Sequence, residues 1–471
     1  SLEMVDGIEI FEPVMPTKIN DFNDDLFTDL WGMYNTSNPG FDINVRPVWN
    51  EYTTGNPKVV VCVVDAGIDL YHEDLAENCA STGHYNFVNK NEYIIAGDHG
   101  THVAGTIAAV GNNGKGVVGV AGGDKAKGQK GVTLISSQIF TGEESVGGAQ
   151  AIKWGADHGA VISQNSWGYV YETDEEQAKA TIPSHLKAAI DYFIKYAGCD
   201  DNGEQQPGSP MKGGVVIFAA GNDAIENGCP ANYEPIIAVG AISQSGRRAS
   251  FSNYGDWVDI AAPGQNILST LPKNKYGNLS GTSMACPHVS GVVALGLSYA
   301  AHKKIHVKAK DVIQLLYDSV YKTADGQDPF KAYWDLDTPK VYYKYVSDLG
   351  ENHKKSLNLN DFIGKMGYGQ VNAYNFLNAI AGENVGEPMS FPNVFVKVDG
   401  VKTYDPTLYM DGSSFTPSVE DASVATAEYK DGKIHIKGLK QGQTKARVSN
   451  GSLSQEFVIT VREKAEENGW L

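Results

Sequence analysis

The sequence lacks any run of about 18 apolar residues, the length that a membrane-spanning helix requires. It also lacks an excess of basic residues, since 38 Lys and Arg stand against 56 Asp and Glu and give a formal net charge of -18. This charge argues against nucleic acid or an anionic membrane as a partner. Ser1 to Met4 carry no basic stretch followed by an apolar one, so no signal peptide is identified.

Cysteine is scarce and odd in number, with five in 471 residues. Cys62 lies in an apolar run and Cys286 at the start of an apolar helical segment, and both are interpreted as small core residues. Cys199 and Cys229 lie in polar loops and could pair, but sequence alone does not establish the geometry of a disulfide. The redox compartment therefore stays open on these grounds.

The length predicts two domains, one of them large. Apolar runs with the character of buried strands occur at 58–64, 133–140, 161–166, 215–220 and 236–239. Helical patterns intervene at 148–158 and 183–196. Strands that alternate with helices predict an α/β fold, a doubly wound and mostly parallel sheet flanked by helices. Two polar stretches are predicted surface insertions: 199–212 and 323–362.

The sequence pattern changes after a predicted linker at 384–390, from strands that alternate with helices to short strands separated by turns. A small all-β sandwich domain is predicted at 391–463 from short alternating segments separated by turns, at 393–398, 423–428, 433–436, 444–449 and 455–461. The larger domain is predicted at 51–383, preceded by an N-terminal arm at 1–50 that packs on it. Three aromatic residues are the expected anchors of this arm: Trp31, Tyr34 and Trp49.

Gly281 to His288 is the stretch around which the chain is organised, because small residues lead into a serine at the start of an apolar helical pattern. Thr282 is a candidate N-cap, which leaves Ser283 in the first helical turn. Backbone N–H groups and the helix dipole favour negative charge there, which suits a nucleophile whose attack creates an oxyanion. The alternative is a serine that only caps a buried helix.

Three further residues supply the rest of this chemistry. Asp65 ends a buried strand, and sites in open α/β sheets gather at the carboxyl ends of strands. His99 opens a helix for which Asp98 is a candidate N-cap. Histidine is the natural base for a serine hydroxyl, and a buried carboxylate sets its tautomer. Asn222 follows another strand and a glycine, and its carboxamide can donate to an oxyanion.

Other interpretations of these motifs are weaker. His99 and His102 are three residues apart, but no third ligand stands at the spacing of a zinc site. Gly111 to Gly119 lacks the Ser or Thr that follows the lysine of a phosphate loop, and its helix precedes the loop. An esterase or lipase would carry a Gly-x-Ser-x-Gly elbow, and Ser283 does not lie in one.

Four blocks resemble the signature motifs of the subtilisin-like serine proteases and stand in that family's order of Asp, His and Ser. They are Val64-Asp-Ala-Gly-Ile-Asp69, His99-Gly-Thr-His-Val-Ala-Gly-Thr106, Ala220-Gly-Asn222 and Gly281-Thr-Ser-Met-Ala-Cys-Pro-His288. The resemblance covers about 50–380. It implies a serine endopeptidase that forms an acyl-enzyme on Ser283, with His99 as the general base. It further implies that Asp65 orients His99 and that Asn222 lies in the oxyanion hole.

The resemblance also implies the substrate-binding residues. The strand that pairs with substrate backbone is matched by Ser166, Trp167 and Gly168. The first subsite is lined in addition by Ala219, Ala220 and Gly221, with Gly228 near its base. Trp167 is bulkier than the family's usual residue, so an altered subsite is expected. His102 is implied to be structural.

Asp74 and the loop that follows Gly111 resemble the family's structural calcium site. The implied oxygen ligands are Asp74, Asn113, Lys115 and Val117. The loop is slightly longer than is usual, and the alternative is an Asn-Gly turn that binds nothing. No cofactor is required for the chemistry itself.

The remaining expectations depend on the family alone. An N-terminal propeptide is expected to be absent from this chain, because the residues before the first strand are too few and too irregular to supply it. A secreted, cell-surface or periplasmic location is implied. Residues 391–463 resemble bacterial Ig-like modules. Polypeptide substrates are the expected partners, with no membrane span. A second hypothesis is a catalytically silent surface binding protein that keeps the fold.

Overall fold

The apolar run that ends at Asp65 forms an inner strand of a parallel sheet in the computed structural model of the chain. The structure describes residues 22–141, 144–206, 208–320, 365–382, 387–388 and 390–462. The predicted insertion at 323–362 and most of the predicted linker lie outside these residues. The predicted domain boundaries therefore stay predictions.

Helices occupy the segments between strands, as the periodicity predicts. In chain order they are α1 Arg46–Glu51, α2 Asp98–Ala108, α3 Gly148–Asp157, α4 Asp174–Lys179, α5 Ser184–Tyr196, α6 Thr282–Lys303, α7 Ala309–Asp318 and α8 Ala373–Ala381. The strands that precede the C-terminal region are β1 Val60–Asp65, β2 Tyr85–Asn86, β3 Gly123–Asp124, β4 Gln129–Lys130, β5 Thr133–Gln138, β6 Phe140–Thr141, β7 Glu144–Ser145, β8 Ile162–Asn165, β9 Met211–Lys212, β10 Val215–Ala219, β11 Ile237–Ile242, β12 Ile260–Pro263, β13 Ile267–Leu271, β14 Lys275–Leu279, β15 Ile305–Lys308 and β16 Glu387–Pro388.

Seven strands form the central sheet in the order β12-β11-β10-β8-β1-β5-β2, and every neighbouring pair is parallel. The carboxyl ends of these strands therefore meet at one edge. Asp65 ends β1, Ser166 follows β8, and Ala220 follows β10 directly. Three of the predicted site segments thus share this edge because of strand direction alone.

Both faces of the sheet are covered, because successive side chains of a strand point to opposite faces. Val61 and Val63 belong to the core cluster that includes apolar residues of α2 and α6. Cys62 and Val64 belong to the cluster that includes residues of α3 and α5. Burial on both faces explains the unbroken apolar run in the sequence. The predicted α/β fold with a mostly parallel sheet is confirmed.

Helix α6 is the main helix of the core, and nearly all of its residues are buried. Its length and apolar composition would suit a membrane span, but 94% of the apolar window is buried inside the fold, as in the core helix of a globular protein. Its N-cap residue is Gly281 and that of α2 is Gly97, so the predicted caps Thr282 and Asp98 are wrong by one residue. Both belong instead to the first helical turn.

Two of the three expected anchors of the N-terminal arm are buried. The indole N–H of Trp31 donates to the backbone carbonyls of 265–266, and that of Trp49 donates to another backbone carbonyl at 2.8 Å. Tyr34 is 42% exposed, with the Arg46 guanidinium 3.9 Å from the centre of its ring. Tyr34 is therefore only partly buried, and its role as an anchor stays a prediction.

The C-terminal region contains two further sheets around a separate apolar core. Its strands are β17 Val394–Lys397, β18 Val401–Tyr404, β19 Thr416–Val419, β20 Ala425–Lys430, β21 Lys433–Gly438, β22 Gly442–Ser449 and β23 Ser454–Arg462. One sheet has the order β17-β23-β22-β19 and the other β18-β21-β20. Five strands correspond to predicted segments. Strands β18 and β19 lie outside the predicted segments, and β19 contains Pro417, a residue disfavoured inside strands.

All five cysteines lie in the described residues and are free thiols. Cys62 and Cys286 are fully buried, and burial raises the pKa of each thiol to about 12. Cys199 and Cys229 are also buried and do not pair in this structure. These four thiols are therefore shielded from solvent.

Candidate active site

Asp65 and His99 form a close pair at the carboxyl edge of the sheet. Asp65 is 1% exposed, and its Oδ1 accepts the N–H of Ala66 at 2.6 Å. The same oxygen lies 2.7 Å from Nδ1 of His99, the second residue of α2. A carboxylate only accepts, so Nδ1 carries the proton and Nε2 of the neutral ring is an acceptor.

The imidazole of His99 is reachable from solvent, since its side chain is 40% exposed. Burial of the ring disfavours protonation, but the charge of Asp65 and the hydrogen bond to it outweigh burial. The pKa of His99 is therefore raised above its ordinary value. A base with this environment takes up a proton more readily than a free imidazole.

Ser283 lies in the first turn of α6 and is 9% exposed. Its Oγ donates to the carbonyl oxygen of Ser166 at 3.1 Å, and the Oγ of Ser166 donates to the carbonyl of Ser283 at 2.8 Å. Val64 of β1 pairs with Asn165 of β8, so Asp65 and Ser166 are neighbours at the edge, on strands about 4.8 Å apart. The reciprocal bonds thus hold Ser283 beside the strand that neighbours Asp65.

The Ser283 hydroxyl does not donate to His99 in this structure, because its hydrogen bond goes to Ser166. The carboxylate of Asp65 nevertheless acts on α6. Burial is the main cause that raises the pKa of Cys286, and the charge of Asp65 adds to it. Cys286 stands one helical turn after Ser283 in α6.

Asn222 is held by the start of α6. Its Oδ1 accepts two bonds from Thr282, one from the backbone N–H and one from the hydroxyl, both at 2.8 Å. The hydroxyl of Thr282 in turn accepts the N–H of Gly221 at 3.0 Å. Because Oδ1 is committed to these donors, Nδ2 of Asn222 is the group left to donate. Thr282, interpreted from the sequence as a cap, orients this carboxamide.

The predicted substrate-binding segments run side by side. Phe218 of β10 pairs with Asn165 of β8, so Ser166, Trp167 and Gly168 lie next to Ala219, Ala220 and Gly221. A Cβ built on Gly228 would lie 2.4 Å from the carbonyl oxygen of Ala220 and 2.4 Å from the Trp257 ring. Gly228 therefore packs directly against the second segment, with no room for a side chain.

Trp167 is a core residue in this structure. It is 8% exposed, its indole N–H donates to Oδ1 of Asn165 at 3.2 Å, and its ring centre lies 5.0 Å from that of Phe218. A Cβ built on Gly148 would lie 2.9 Å from the indole. Most of the Trp167 side chain is thus packed into the protein interior. The altered substrate subsite expected from its size stays a prediction.

His102 has contacts that suit a structural role. Its Nε2 donates to the carbonyl oxygens of Ile267 and Gly277 at 2.9 and 3.0 Å. Burial lowers its pKa to about 4, so the ring is neutral near pH 7. Across the described part of the chain, no group of three His, Cys, Asp or Glu residues is arranged to hold a metal ion.

The comparisons with known proteins identify the family and the fold. Residues 56–353 match the model of the subtilase family. The chain belongs to the subtilase family. The match covers more than half of the chain, and together with the subtilisin relatives it assigns this part to the subtilisin-like serine endopeptidases, a class of hydrolases.

Three curated relatives illustrate the range of similarity. The thermophilic serine proteinase of Bacillus sp. (strain AK1) is 33% identical over 305 residues, which cover 63% of this chain and 67% of the relative. The extracellular protease of Xanthomonas campestris pv. campestris is 32% identical, covering 59% of this chain and 50% of the relative. Subtilisin E of Bacillus subtilis is 36% identical, covering 52% and 57%. The chain thus spans about half of two of these relatives.

A solved protease structure from Pseudoalteromonas arctica aligns with a TM-score of 0.53 and 24% identity, covering 76% of this chain and 99% of that one. At this identity the likeness shows the fold only. It agrees with the subtilase fold of the central sheet and its helices.

The residues implied for calcium lie close together in this subtilase. Asp74 is fully buried; its Oδ1 accepts Nδ2 of Asn113 at 2.7 Å and its Oδ2 accepts the N–H of Val117 at 3.0 Å. Burial raises the pKa of Asp74 to about 7. Within the described residues, no donor is bonded to the carbonyl oxygens of Lys115 and Val117. Backbone carbonyl and carboxylate oxygens are the types of ligand that Ca²⁺ binds.

Sequence reasoning missed two residues around this loop and the nucleophile. Asp24 of the N-terminal arm accepts the N–H groups of Asn112 and Asn113 at 2.7 and 3.2 Å, and burial raises its pKa to about 6. Gln164 of β8 is fully buried and donates to the Oγ of Ser166 at 2.7 Å. A buried Gln or Asp has no local sequence signature, because its hydrogen-bond partners are brought close to it only by folding.

Proposed function

We propose that this chain is a serine endopeptidase that hydrolyses peptide bonds through an acyl-enzyme on Ser283. His99 is the general base, Asp65 orients it, and Nδ2 of Asn222 donates to the oxyanion. The observation that supports this most directly is the Asp65–His99 pair at 2.7 Å, with a partly exposed ring and a raised pKa. The reciprocal bonds between Ser283 and Ser166 keep the hydroxyl at the same edge of the sheet.

Acylation begins when the Ser283 hydroxyl turns about its Cα–Cβ bond away from the Ser166 carbonyl. Nε2 of His99 takes the hydroxyl proton as Oγ bonds to the substrate carbonyl carbon. The carbonyl oxygen becomes an oxyanion, which accepts from Nδ2 of Asn222. The C–N bond then breaks, and His99 returns the proton to the leaving amine.

Deacylation repeats these roles with water. His99 takes a proton from the water as its oxygen bonds to the acyl carbon, and the second oxyanion is stabilised in the same way. When the bond between carbon and Oγ breaks, His99 protonates Ser283. Throughout, the Asp65 carboxylate stabilises the imidazolium without taking the proton itself.

Labelling by a fluorophosphonate probe tests this proposal. We expect the folded protein to form one covalent adduct on Ser283, because the activated Oγ displaces fluoride from phosphorus while His99 takes the proton. The measurement is the mass of the intact protein and of its peptides. Ser283→Ala is expected to remain unlabelled, and His99→Ala to label far more slowly.

The same experiment distinguishes this proposal from the second hypothesis, a catalytically silent surface binding protein. A folded protein that forms no adduct, with a melting transition that shows intact structure, would favour that hypothesis. An adduct on another serine would contradict the assignment of Ser283 while leaving a serine enzyme in place.

We also propose a structural Ca²⁺ ion bound by Asp74, Asn113, Lys115 and Val117. The supporting observations are the buried carboxyl group and the two carbonyl oxygens without bonded donors among the described residues. Asn113 donates its amide N–H to Asp74, and its Oδ1 accepts the N–H of Lys115 at 2.9 Å, which leaves the second lone pair of Oδ1 for a cation. Such an ion would stabilise the fold and take no part in the chemistry.

Removing calcium is expected to lower the melting temperature. At a free ion concentration of about 100 Kd, binding adds about 2.7 kcal/mol, which corresponds to roughly 5 °C or more. The measurement is thermal unfolding with and without EDTA, made on Ser283→Ala to prevent autolysis. Asp74→Asn should remove the response to EDTA. An unchanged melting temperature in EDTA would contradict calcium binding.

The substrate is proposed to be a polypeptide that pairs as an added strand with the Ser166–Gly168 segment, while Ala219–Gly221 lines its first subsite. Residues 390–462 are proposed to form an Ig-like module, which is supported by two sheets around one apolar core. We further propose a secreted or cell-surface location, which is supported by a relative that is named an extracellular protease.

A further inference from the structure

One buried side chain makes most of its bonds to the loop that carries Asn222. The carboxamide of Asn253, which is 1% exposed, donates from Nδ2 to the carbonyl oxygens of Ala220 and Asn227 at 3.0 and 2.9 Å. Its Oδ1 accepts the N–H groups of Asp223 and Ile225 at 2.9 and 3.3 Å. A single side chain thus bonds to four backbone groups between 220 and 227.

The backbone beside Asn253 adds to this attachment. The N–H of Asn253 donates to the carbonyl of Gly221 at 2.9 Å, and the N–H of Tyr254 donates to that of Ile225 at 3.0 Å. Gly221 has a φ of +102°, and a Cβ there would lie 2.3 Å from Nδ2 of Asn253. Only glycine allows the loop to approach this closely.

Asn222 lies inside the loop that Asn253 shapes. Its side chain is oriented from the opposite side by Thr282, through the two bonds to Oδ1. Thr282 controls the rotation of the carboxamide, whereas Asn253 controls the path of the backbone from which the carboxamide extends. The direction of Nδ2 depends on both.

The chemistry at position 253 is specific to a carboxamide of this length. Two donors and two acceptor sites are needed at once, and Asn supplies them. Asp would place a second oxygen against the carbonyls of Ala220 and Asn227. Ser offers one donor on a shorter side chain, and Ala offers none.

We propose that Asn253 is a positioning residue for the oxyanion donor: it sets the conformation of 220–227 so that Nδ2 of Asn222 points at the developing oxyanion. It does not touch the substrate. This inference rests on the proposed function, since it requires Asn222 to act in the oxyanion hole. Asn253 therefore affects the rate through Asn222, although its own side chain takes no part in the reaction.

A double-mutant cycle on kcat tests the proposal, using Asn253→Ala, Asn222→Ala and the double variant. Active sites are counted by fluorophosphonate titration, so that unfolded protein does not contribute. Misplacing a catalytic group by about 1 Å costs about 10²-fold, and we expect a loss of kcat of about that size for Asn253→Ala with a much smaller change in KM. In the Asn222→Ala background, the same substitution should lower kcat by less than about threefold.

Asn78 provides a matched control. It is 4% exposed, its Nδ2 donates to the carbonyls of Ala108 and Gly122, both at 2.9 Å, and its Oδ1 accepts the N–H of Gly131 at 3.2 Å. Asn78→Ala should lower the melting temperature by a similar amount and leave kcat per active site unchanged. If Asn253→Ala does not fold, Asn253→Ser replaces it in the same cycle, with a smaller loss expected.

The outcomes distinguish the role of Asn253 from the role of Asn222. Equal losses of kcat from Asn253→Ala in both backgrounds would overturn the positioning role and leave the role of Asn222 intact. An unchanged kcat in Asn222→Ala alone would overturn the oxyanion assignment, and the role of Asn253 with it. A loss in Asn78→Ala equal to that in Asn253→Ala would show a general effect of stability.

Discussion

Ser283→Ala is expected to lower kcat for peptide hydrolysis by about 10⁶-fold, the size of the loss measured when the corresponding serine is removed from subtilisin, a relative of this chain. The reason is that no other group can form the acyl-enzyme, while the oxyanion donor and the substrate contacts remain. The measurement is the hydrolysis of a fluorogenic peptide, with protein that is free of contaminating protease.

Ser298→Ala is the matched control for this prediction. Ser298 is also a buried serine of α6, and its Oγ donates to the carbonyl of Ala294 at 2.7 Å, far from the start of the helix. We expect this variant to keep its kcat. Activity of Ser283→Ala within a factor of ten of the unmodified protein would contradict the acyl-enzyme mechanism.

Asp65→Asn is expected to lower kcat by about 10⁴-fold near neutral pH, with the fold intact. The carboxylate accepts a hydrogen bond from Nδ1–H, so Nε2 of His99 has no proton and can act as the base. A carboxamide can turn its NH₂ group toward Nδ1 instead, which leaves the ring proton on Nε2. That tautomer cannot take the proton of Ser283.

The pH dependence provides a second measurement on this variant. Only neutral His99 is a base, so kcat/KM falls as the pH drops through its pKa. Burial lowers that pKa and Asp65 raises it, with a net increase above the ordinary value of about 6.5. Without the carboxylate, the midpoint of the acid limb should move to lower pH. An unchanged midpoint would contradict the assignment of Asp65 as the charged partner of His99.

The sheet and its reactive residues could be predicted because their signals are local. The residues from Val60 to Val64 are apolar on both faces of the strand. This pattern is typical of a strand whose two faces are both covered by other elements. The blocks around Asp65, His99, Asn222 and Ser283 carry small residues at fixed spacing beside each reactive group. The direction of parallel strands then brings the first and third of them to one edge.

Details that depend on a neighbour could not be predicted in this way. Trp167 suggested a subsite residue, yet its indole packs against Phe218 of the adjacent strand. Thr282 suggested a cap, yet its hydroxyl is committed to Asn222. In each case the residue type was correctly noted, but its partner comes from a segment far away in the chain.

Sequence alone therefore established the α/β class and predicted the reactive side chains and their order, because each leaves a pattern within a few residues. Tertiary structure alone decided that Ser283 donates to Ser166, that Asp24 reaches the loop at Asn113, and that Asn253 holds the backbone around Asn222. A hydrogen bond between distant segments has no periodicity and no fixed spacing. It exists only once the chain has folded and buried both groups, where each must find a partner.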